Sequence, residues 1–309
     1  MKVLLPDTIA LDLGFPAATY PAGEPIPEEH LDAEVLVTWG NSAGNLADAA
    51  RRLTRLRWVQ TLAAGPDAVL EAGFAPEVVI TAGLGLHDRT VTEHTLAMIL
   101  AAARRLHLLV RAQIGRRWAE ELGGIQPVHE ATAFRTLRDA NVVIWGFGGI
   151  AATLAPILTT LGATVTGVAR SAGTRHGFPV VAVSDLPALL PRTDLLVSIL
   201  PATPETVRAI DAEVLDRLPA HAWVVNVGRG AVLDEAALLD ALRAGRIAGA
   251  ALDVFATEPL PVESGLWDEP NVIITPHAAG GRPLGAEKLI LENLAAFREG
   301  RPLRNVVSR

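Results

Sequence analysis

Asn141-Val142-Val143-Ile144-Trp145-Gly146-Phe147-Gly148-Gly149-Ile150-Ala151 is the stretch that decides the fold. Its first half is apolar and β-branched, so it reads as a buried strand. Glycines follow, and a helical pattern then runs from Ile150 to Leu161, with a kink expected at Pro156. The spacing is G-x-G-x-x-A. Gly146 permits a tight turn, Gly148 lets the backbone approach a pyrophosphate, and Ala151 is small enough for close helix–strand packing. Free N–H groups at Gly149 and Ile150, where the helix starts, would hold that anion. The turn therefore predicts a dinucleotide-binding α/β unit.

The next strand, Ala163–Ala169, ends in Gly167-Val168-Ala169-Arg170-Ser171. A carboxylate at this point would bond the ribose 2′-hydroxyl of NAD. Here an arginine and a hydroxyl stand instead. A guanidinium suits a 2′-phosphate, so Arg170 and Ser171 favour NADP over NAD.

Further along, three apolar runs each deliver a polar residue. They are Val224-Val225-Asn226-Val227-Gly228-Arg229-Gly230, Ala251-Leu252-Asp253-Val254-Phe255-Ala256-Thr257-Glu258-Pro259 and Ile274-Thr275-Pro276-His277. Ligands of open α/β sheets bind beyond the carboxyl ends of strands. Arg229, Glu258 and His277 can therefore converge. Their chemistry suits reduction of a small 2-oxo acid. Arg229 would hold the carboxylate and polarise the carbonyl. His277 would pass a proton to the carbonyl oxygen, since imidazole titrates near neutrality. Glu258 would bond the other ring nitrogen and fix its orientation.

The first ninety residues alternate short apolar runs (Val3–Leu5, Val35–Thr38, Trp58–Leu62, Val78–Thr81) with helix-like stretches such as Leu46–Leu53. That pattern implies a second parallel sheet. One long helix is expected from Thr90 to Val110, then an irregular arm from Gly115 to Phe134. Asp234 is placed to cap a helix reaching Ala244, and a last helix is expected from Leu284 to Glu299.

With 309 residues, half of them hydrophobic, two domains with substantial cores are expected. The net charge of −7 argues against nucleic acid or an anionic membrane as partner. The absence of cysteine excludes disulfides, thiolate chemistry and cysteine-ligated metals. His87, His94 and His107 lack metal-ligand spacing, so no metal site is read. No export signal or membrane span is recognised, and the expected location is the cytoplasm.

On Gly146–Ala151, Leu200-Pro201-Ala202-Thr203-Pro204-Glu205-Thr206, Asn226–Gly230, Leu252–Leu260 and Thr275–His277, the chain resembles the D-isomer-specific 2-hydroxyacid dehydrogenases, nearest to glyoxylate/hydroxypyruvate reductases. The resemblance implies a Rossmann cofactor domain, residues 95–279, inserted into a flavodoxin-like substrate domain, residues 1–94 and 280–309. It also implies catalytic roles for Arg229, Glu258 and His277. Backbone N–H groups at Ala64 and Gly65 would bind substrate carboxylate. Pro201, Thr206, Val227 and Asp253 would touch the cofactor, with Asp253 at the nicotinamide carboxamide. A homodimer is implied, with Trp118 as a candidate anchor. Two alternatives stay open. One is a D-3-phosphoglycerate dehydrogenase-like enzyme, with Arg57 or Arg282 as an added cation. The other is a dinucleotide-sensing corepressor.

Overall fold

The computed structural model describes residues 1–124 and 133–308, in two compact units. Residues 125–132 of the expected arm lie outside the described residues.

The first unit comprises residues 1–87 and 281–309. Its strands are β1 (Val3–Pro6), β2 (Ala18–Tyr20), β3 (Val35–Thr38), β4 (Trp58–Thr61) and β5 (Val79–Thr81), with helices α1 (Ala43–Arg52) and α2 (Asp67–Glu71) between the later ones. All pair parallel in the order β2-β1-β3-β4-β5. This is the flavodoxin-like order. Strands β1, β3 and β4 are buried along their whole length on both faces, which explains their apolar character. Leu4, Leu36 and Val59 meet Leu46 and Ala49 of α1 on one side. Val3, Val35, Val37 and Trp58 look to the other side. Strand β2 escaped the sequence reading because Ala18-Thr19-Tyr20 carries no distinctive apolar run.

The chain then enters the second unit, Asp88–Gly280. It begins with α3 (Asp88–Ala103) and α4 (Leu106–Ile114). These replace the single helix expected from Thr90 to Val110. Arg105 adopts a left-handed conformation, φ 53°, and interrupts the helical path. The unit boundary also falls at Asp88, not at residue 95. The whole of α3 belongs here because Val91, Met98 and Ile99 join the core containing Ile144 and Leu154.

Next come β6 (Asn141–Trp145), α5 (Gly149–Thr160), β7 (Thr164–Ala169), β8 (Gly173–Arg175), β9 (Phe178–Ala182), α6 (Leu186–Leu189), β10 (Leu195–Ser198), α7 (Ala212–Asp216), β11 (Trp223–Asn226), α8 (Glu235–Arg243), β12 (Gly249–Leu252) and β13 (Val272–Ile274). The sheet order is β13-β12-β11-β10-β6-β7-β9-β8. Read outward from β6, this is the Rossmann order with a seventh strand on one flank. The added β8 is antiparallel to β9. Helix α5 is continuous through Pro156. As expected, Asp234 caps α8 by accepting the Ala237 N–H at 3.1 Å. The chain returns to the first unit for α9 (Ala286–Arg298), whose Leu289, Ile290 and Leu294 cover the second face of that unit's sheet.

Leu154 of α5 is fully buried in the core shared with β6. Leu154→Ala should cost about 3 kcal/mol in urea unfolding; a loss below about 1 kcal/mol would mean that this face of the sheet is not packed as described.

Candidate active site

The dinucleotide turn sits where β6 ends. Gly146 has φ +99°, and a Cβ there would lie 2.7 Å from the Ile199 carbonyl oxygen. Glycine is thus required both for the turn and for the close passage of the chain leaving β10. Gly148 is the N-cap of α5, and no side chain caps it. A Cβ on Gly148 would meet nothing within 4 Å. The backbone at Gly148 is therefore unobstructed, and the N-cap carries no side chain of its own, as close approach of a pyrophosphate requires. Ala151 is fully buried against the sheet. On Gly149, by contrast, a Cβ would run into the Asp88 carboxylate, the first residue of α3.

Arg170 and Ser171 follow β7, and a third residue joins them. Arg175 of β8 donates from Nη2 to Ser171 Oγ at 3.0 Å and to its carbonyl oxygen at 3.2 Å. Sequence reasoning missed Arg175. The signal was a second arginine in the same short run, folded back by the β8–β9 hairpin with Gly173, His176 and Gly177 at positive φ. Arg170 also faces Glu205. The carboxyl of Glu205 is held below its usual range, chiefly by a hydrogen bond from Thr203 and its own backbone N–H, with the Arg170 charge adding to the effect. In that same turn Thr206 Oγ1 donates to the Pro201 carbonyl at 2.6 Å and accepts the Thr203 N–H at 2.8 Å. Thr206 thus shapes the turn around Pro201.

Strands β11, β12 and β13 are adjacent and in register, with Asn226 opposite Leu252 and Leu252 opposite Ile274. Their carboxyl ends therefore lie at one level, and each releases one expected site residue. After β11, buried Asn226 shapes the turn by accepting the Gly228 N–H at 3.2 Å and donating to the Arg229 carbonyl at 3.0 Å. Arg229 is half-buried and donates from Nη1 to the Gly228 carbonyl at 2.9 Å. Gly230 rests directly on the Phe255 backbone, where any Cβ would overlap the Phe255 carbonyl carbon. This contact ties the Arg229 turn to the loop carrying Glu258.

Glu258 accepts the Phe255 N–H at 2.9 Å with Oε1. Its Oε2 lies 2.8 Å from His277 Nδ1. A carboxylate only accepts, so Nδ1 carries a proton and Nε2 is left to face a ligand. Both side chains are substantially exposed. His277 has φ +51°, a left-handed conformation fixed by its N–H donating to the carbonyls of Asp253 at 2.8 Å and Thr275 at 3.1 Å.

Asp253 is fully buried, and the chain engages both of its carboxylate oxygens. Oδ1 accepts from Thr275 Oγ1 at 2.6 Å and the Ala278 N–H at 2.8 Å, and Oδ2 accepts the Ala279 N–H at 3.0 Å. Val227 is buried. Asp253 and Val227 line the strand ends from within.

In the first unit, Ala64 and Gly65 stand in the loop after β4. The Ala63 carbonyl accepts the Gly83 N–H at 2.8 Å, and the Leu62 carbonyl lies 2.8 Å from His87 Nε2. The carbonyls just before this loop are thereby tied down. Arg57 lies 4.8 Å from the Phe297 ring centroid and 3.8 Å from Glu34, so it is engaged within this unit.

Residues 96–279 match the family model of the D-isomer specific 2-hydroxyacid dehydrogenase, NAD binding domain. The chain belongs to the D-isomer specific 2-hydroxyacid dehydrogenase family. It is accordingly an NAD(P)-dependent oxidoreductase of 2-hydroxy acids. It is 35% identical to glyoxylate/hydroxypyruvate reductase A of Salmonella typhi over 263 residues, covering 82% of this chain and 81% of the relative. Among solved structures it resembles an NADPH-dependent glyoxylate/hydroxypyruvate reductase of Sinorhizobium meliloti in complex with NADP and sulfate (TM-score 0.82, 27% identity, 99% and 97% of the two chains). It also resembles a D-isomer specific 2-hydroxyacid dehydrogenase of Xanthobacter autotrophicus in complex with NADPH and MES (TM-score 0.80, 31% identity, 99% and 97%).

Gly230→Ala should separate the Arg229 turn from the Glu258 loop. We expect kcat to fall at least about tenfold and stability to drop by about 2 kcal/mol. A fully active, equally stable variant would show that the two loops do not depend on that contact.

Proposed function

We propose that the protein reduces glyoxylate, hydroxypyruvate or a similarly small 2-oxo acid with NADPH. The observation that carries this reading is the Glu258–His277 pair at 2.8 Å, beside the Arg229 turn at the ends of three neighbouring strands.

When bound, the reduced nicotinamide supplies a hydride to the substrate's carbonyl carbon. Arg229 holds the substrate carboxylate and polarises the carbonyl. The family resemblance assigns the N–H groups of Ala64 and Gly65, in the first unit, to carboxylate binding as well. Glu258 holds the proton on His277 Nδ1, so imidazolium Nε2 gives its proton to the substrate oxygen and yields the 2-hydroxy acid. In the reverse direction Nε2 accepts that proton.

Cofactor preference follows from Arg170, Ser171 and Arg175. No carboxylate occurs in that run, and two guanidiniums are available for the dianionic 2′-phosphate of NADP. Gly146, Gly148, Gly149 and Ile150 would receive the pyrophosphate. The relatives from Sinorhizobium and Xanthobacter, bound to NADP and NADPH, agree with this preference.

The enzyme would act as a cytoplasmic homodimer. Leu106, Val110 and Ile114 recur every four residues along α4 and are exposed, with Trp118 beyond them 89% exposed. An apolar stripe of this kind suits burial against a second copy.

The test is oxidation of NADPH and NADH against glyoxylate, hydroxypyruvate, pyruvate and 2-oxoisocaproate. Turnover should be greatest with one of the first two and NADPH. His277→Ala should lower kcat at least about a hundredfold, and a variant as fast as wild type would remove His277 from the reaction. Arg170→Ala and Arg175→Ala should each raise KM for NADPH more than for NADH; equal changes would count against a 2′-phosphate contact.

A further inference from the structure

His94 has no part in the mechanism above, yet it is tied to the catalytic turn. It lies in α3 with its side chain 23% exposed. Its Nε2 is 3.0 Å from Thr275 Oγ1 and 3.2 Å from Asp253 Oδ1. The proton positions follow from the donor inventory. Asp253 is a buried acceptor, and the single hydroxyl proton of Thr275 points to it at 2.6 Å. Thr275 Oγ1 therefore has only lone pairs to offer His94. Nε2 of His94 must be the protonated nitrogen, and it donates to the hydroxyl and the carboxylate together.

Asp253 and Thr275 in turn define the backbone on both sides of His277. The Asp253 carboxylate takes the N–H groups of Ala278 and Ala279, and its backbone carbonyl takes the N–H of His277. Every residue from 277 to 279 thus donates its N–H to Asp253. One helical turn beyond His94, Met98 Sδ lies 3.9 Å from the same Thr275 hydroxyl. Helix α3 therefore meets Thr275 at two successive positions, by a hydrogen bond from His94 and by van der Waals contact with Met98.

We propose that His94 is a positioning residue for catalysis: by donating to Thr275 and Asp253 it holds the left-handed turn that aims His277. This rests on the assignment of His277 as the proton-handling group. Leucine at position 94 would fill the space without a donor. It would leave the Thr275 hydroxyl short of one partner and the buried carboxylate short of another. Glutamine places an amide N–H close to the position of Nε2.

The experiment compares His94→Leu, His94→Gln, Thr275→Val and His277→Ala for kcat, KM, NADPH binding by fluorescence and thermal midpoint. His94→Leu should lose about tenfold to a hundredfold in kcat, the scale of a small misplacement of the reacting group. Its KM values and NADPH affinity should stay within about threefold of wild type, since the turn and not the binding surface is displaced. His94→Gln should recover most of the loss. Thr275→Val should resemble His94→Leu, and the double variant should be little worse than either, because both break one chain of contacts. The proposal is overturned if His94→Leu keeps wild-type kcat. It is equally overturned if glutamine rescues nothing, or if the loss of kcat merely tracks NADPH affinity or thermal midpoint. His277→Ala separates the two levels. An inactive His277→Ala beside a wild-type-like His94→Leu defeats this proposal alone, whereas an active His277→Ala defeats the underlying assignment and this proposal with it.

Discussion

A single hydrogen bond organises the chemistry proposed for this protein: His277 Nδ1–H donates to Glu258 Oε2 at 2.8 Å. An imidazole has two nitrogens, and only one can face a substrate. The carboxylate commits Nδ1 to the protein and leaves Nε2 free of that contact, the nitrogen that the proposed reaction uses to give or take a proton. Glu258 is itself held through Oε1 by the Phe255 N–H, so the ring is aimed by backbone and not by a freely rotating side chain. Proton transfer depends on distance and alignment, and this pair supplies alignment before any ligand arrives.

The sheet makes that bond possible. Three parallel strands in register bring residues from 229, 258 and 277 to one level, although they are far apart in sequence. Parallel strands with both faces covered must be apolar throughout, so polar chemistry is displaced to their carboxyl ends. Close approach there needs small residues. Gly230 admits the Phe255 backbone, and Gly146 admits the chain leaving β10. Asp253 is a buried carboxylate at this end, and it accepts from the Thr275 hydroxyl, two backbone N–H groups and His94 Nε2, as a buried charge requires.

Much of this was legible in the sequence. Val142–Ile144 followed by glycines announced the strand, turn and helix, and the runs before Arg229, Asp253 and His277 announced β11, β12 and β13. What escaped was the part that depends on three-dimensional return of the chain. Strand β2 is three residues without an apolar signature, held by its pairing with β1. The break between α3 and α4 comes from a left-handed Arg105, a conformation that arginine does not announce. Arg175 reaches Ser171 only because a hairpin folds it back. His94 was set aside because it lacked metal-ligand spacing, and its contacts lie more than 150 positions away along the chain. The expectation placed Asp253 at the nicotinamide carboxamide; what the sequence did not disclose is that its carboxylate oxygens also serve the His277 turn. A strand-end position is readable from pattern, but the direction of a side chain at that position is set by neighbours which the pattern does not name.

The most direct measurement is a crystal structure of the enzyme with NADPH and oxamate, an unreactive analogue of a 2-oxo acid. The account predicts His277 Nε2 within about 3 Å of the analogue's carbonyl oxygen, a normal hydrogen-bond distance. Nδ1 should still rest on Glu258, and Arg229 should lie against the analogue's carboxylate. A complex in which His277 turns away from the analogue, or in which Glu258 leaves Nδ1 to another partner, would contradict it.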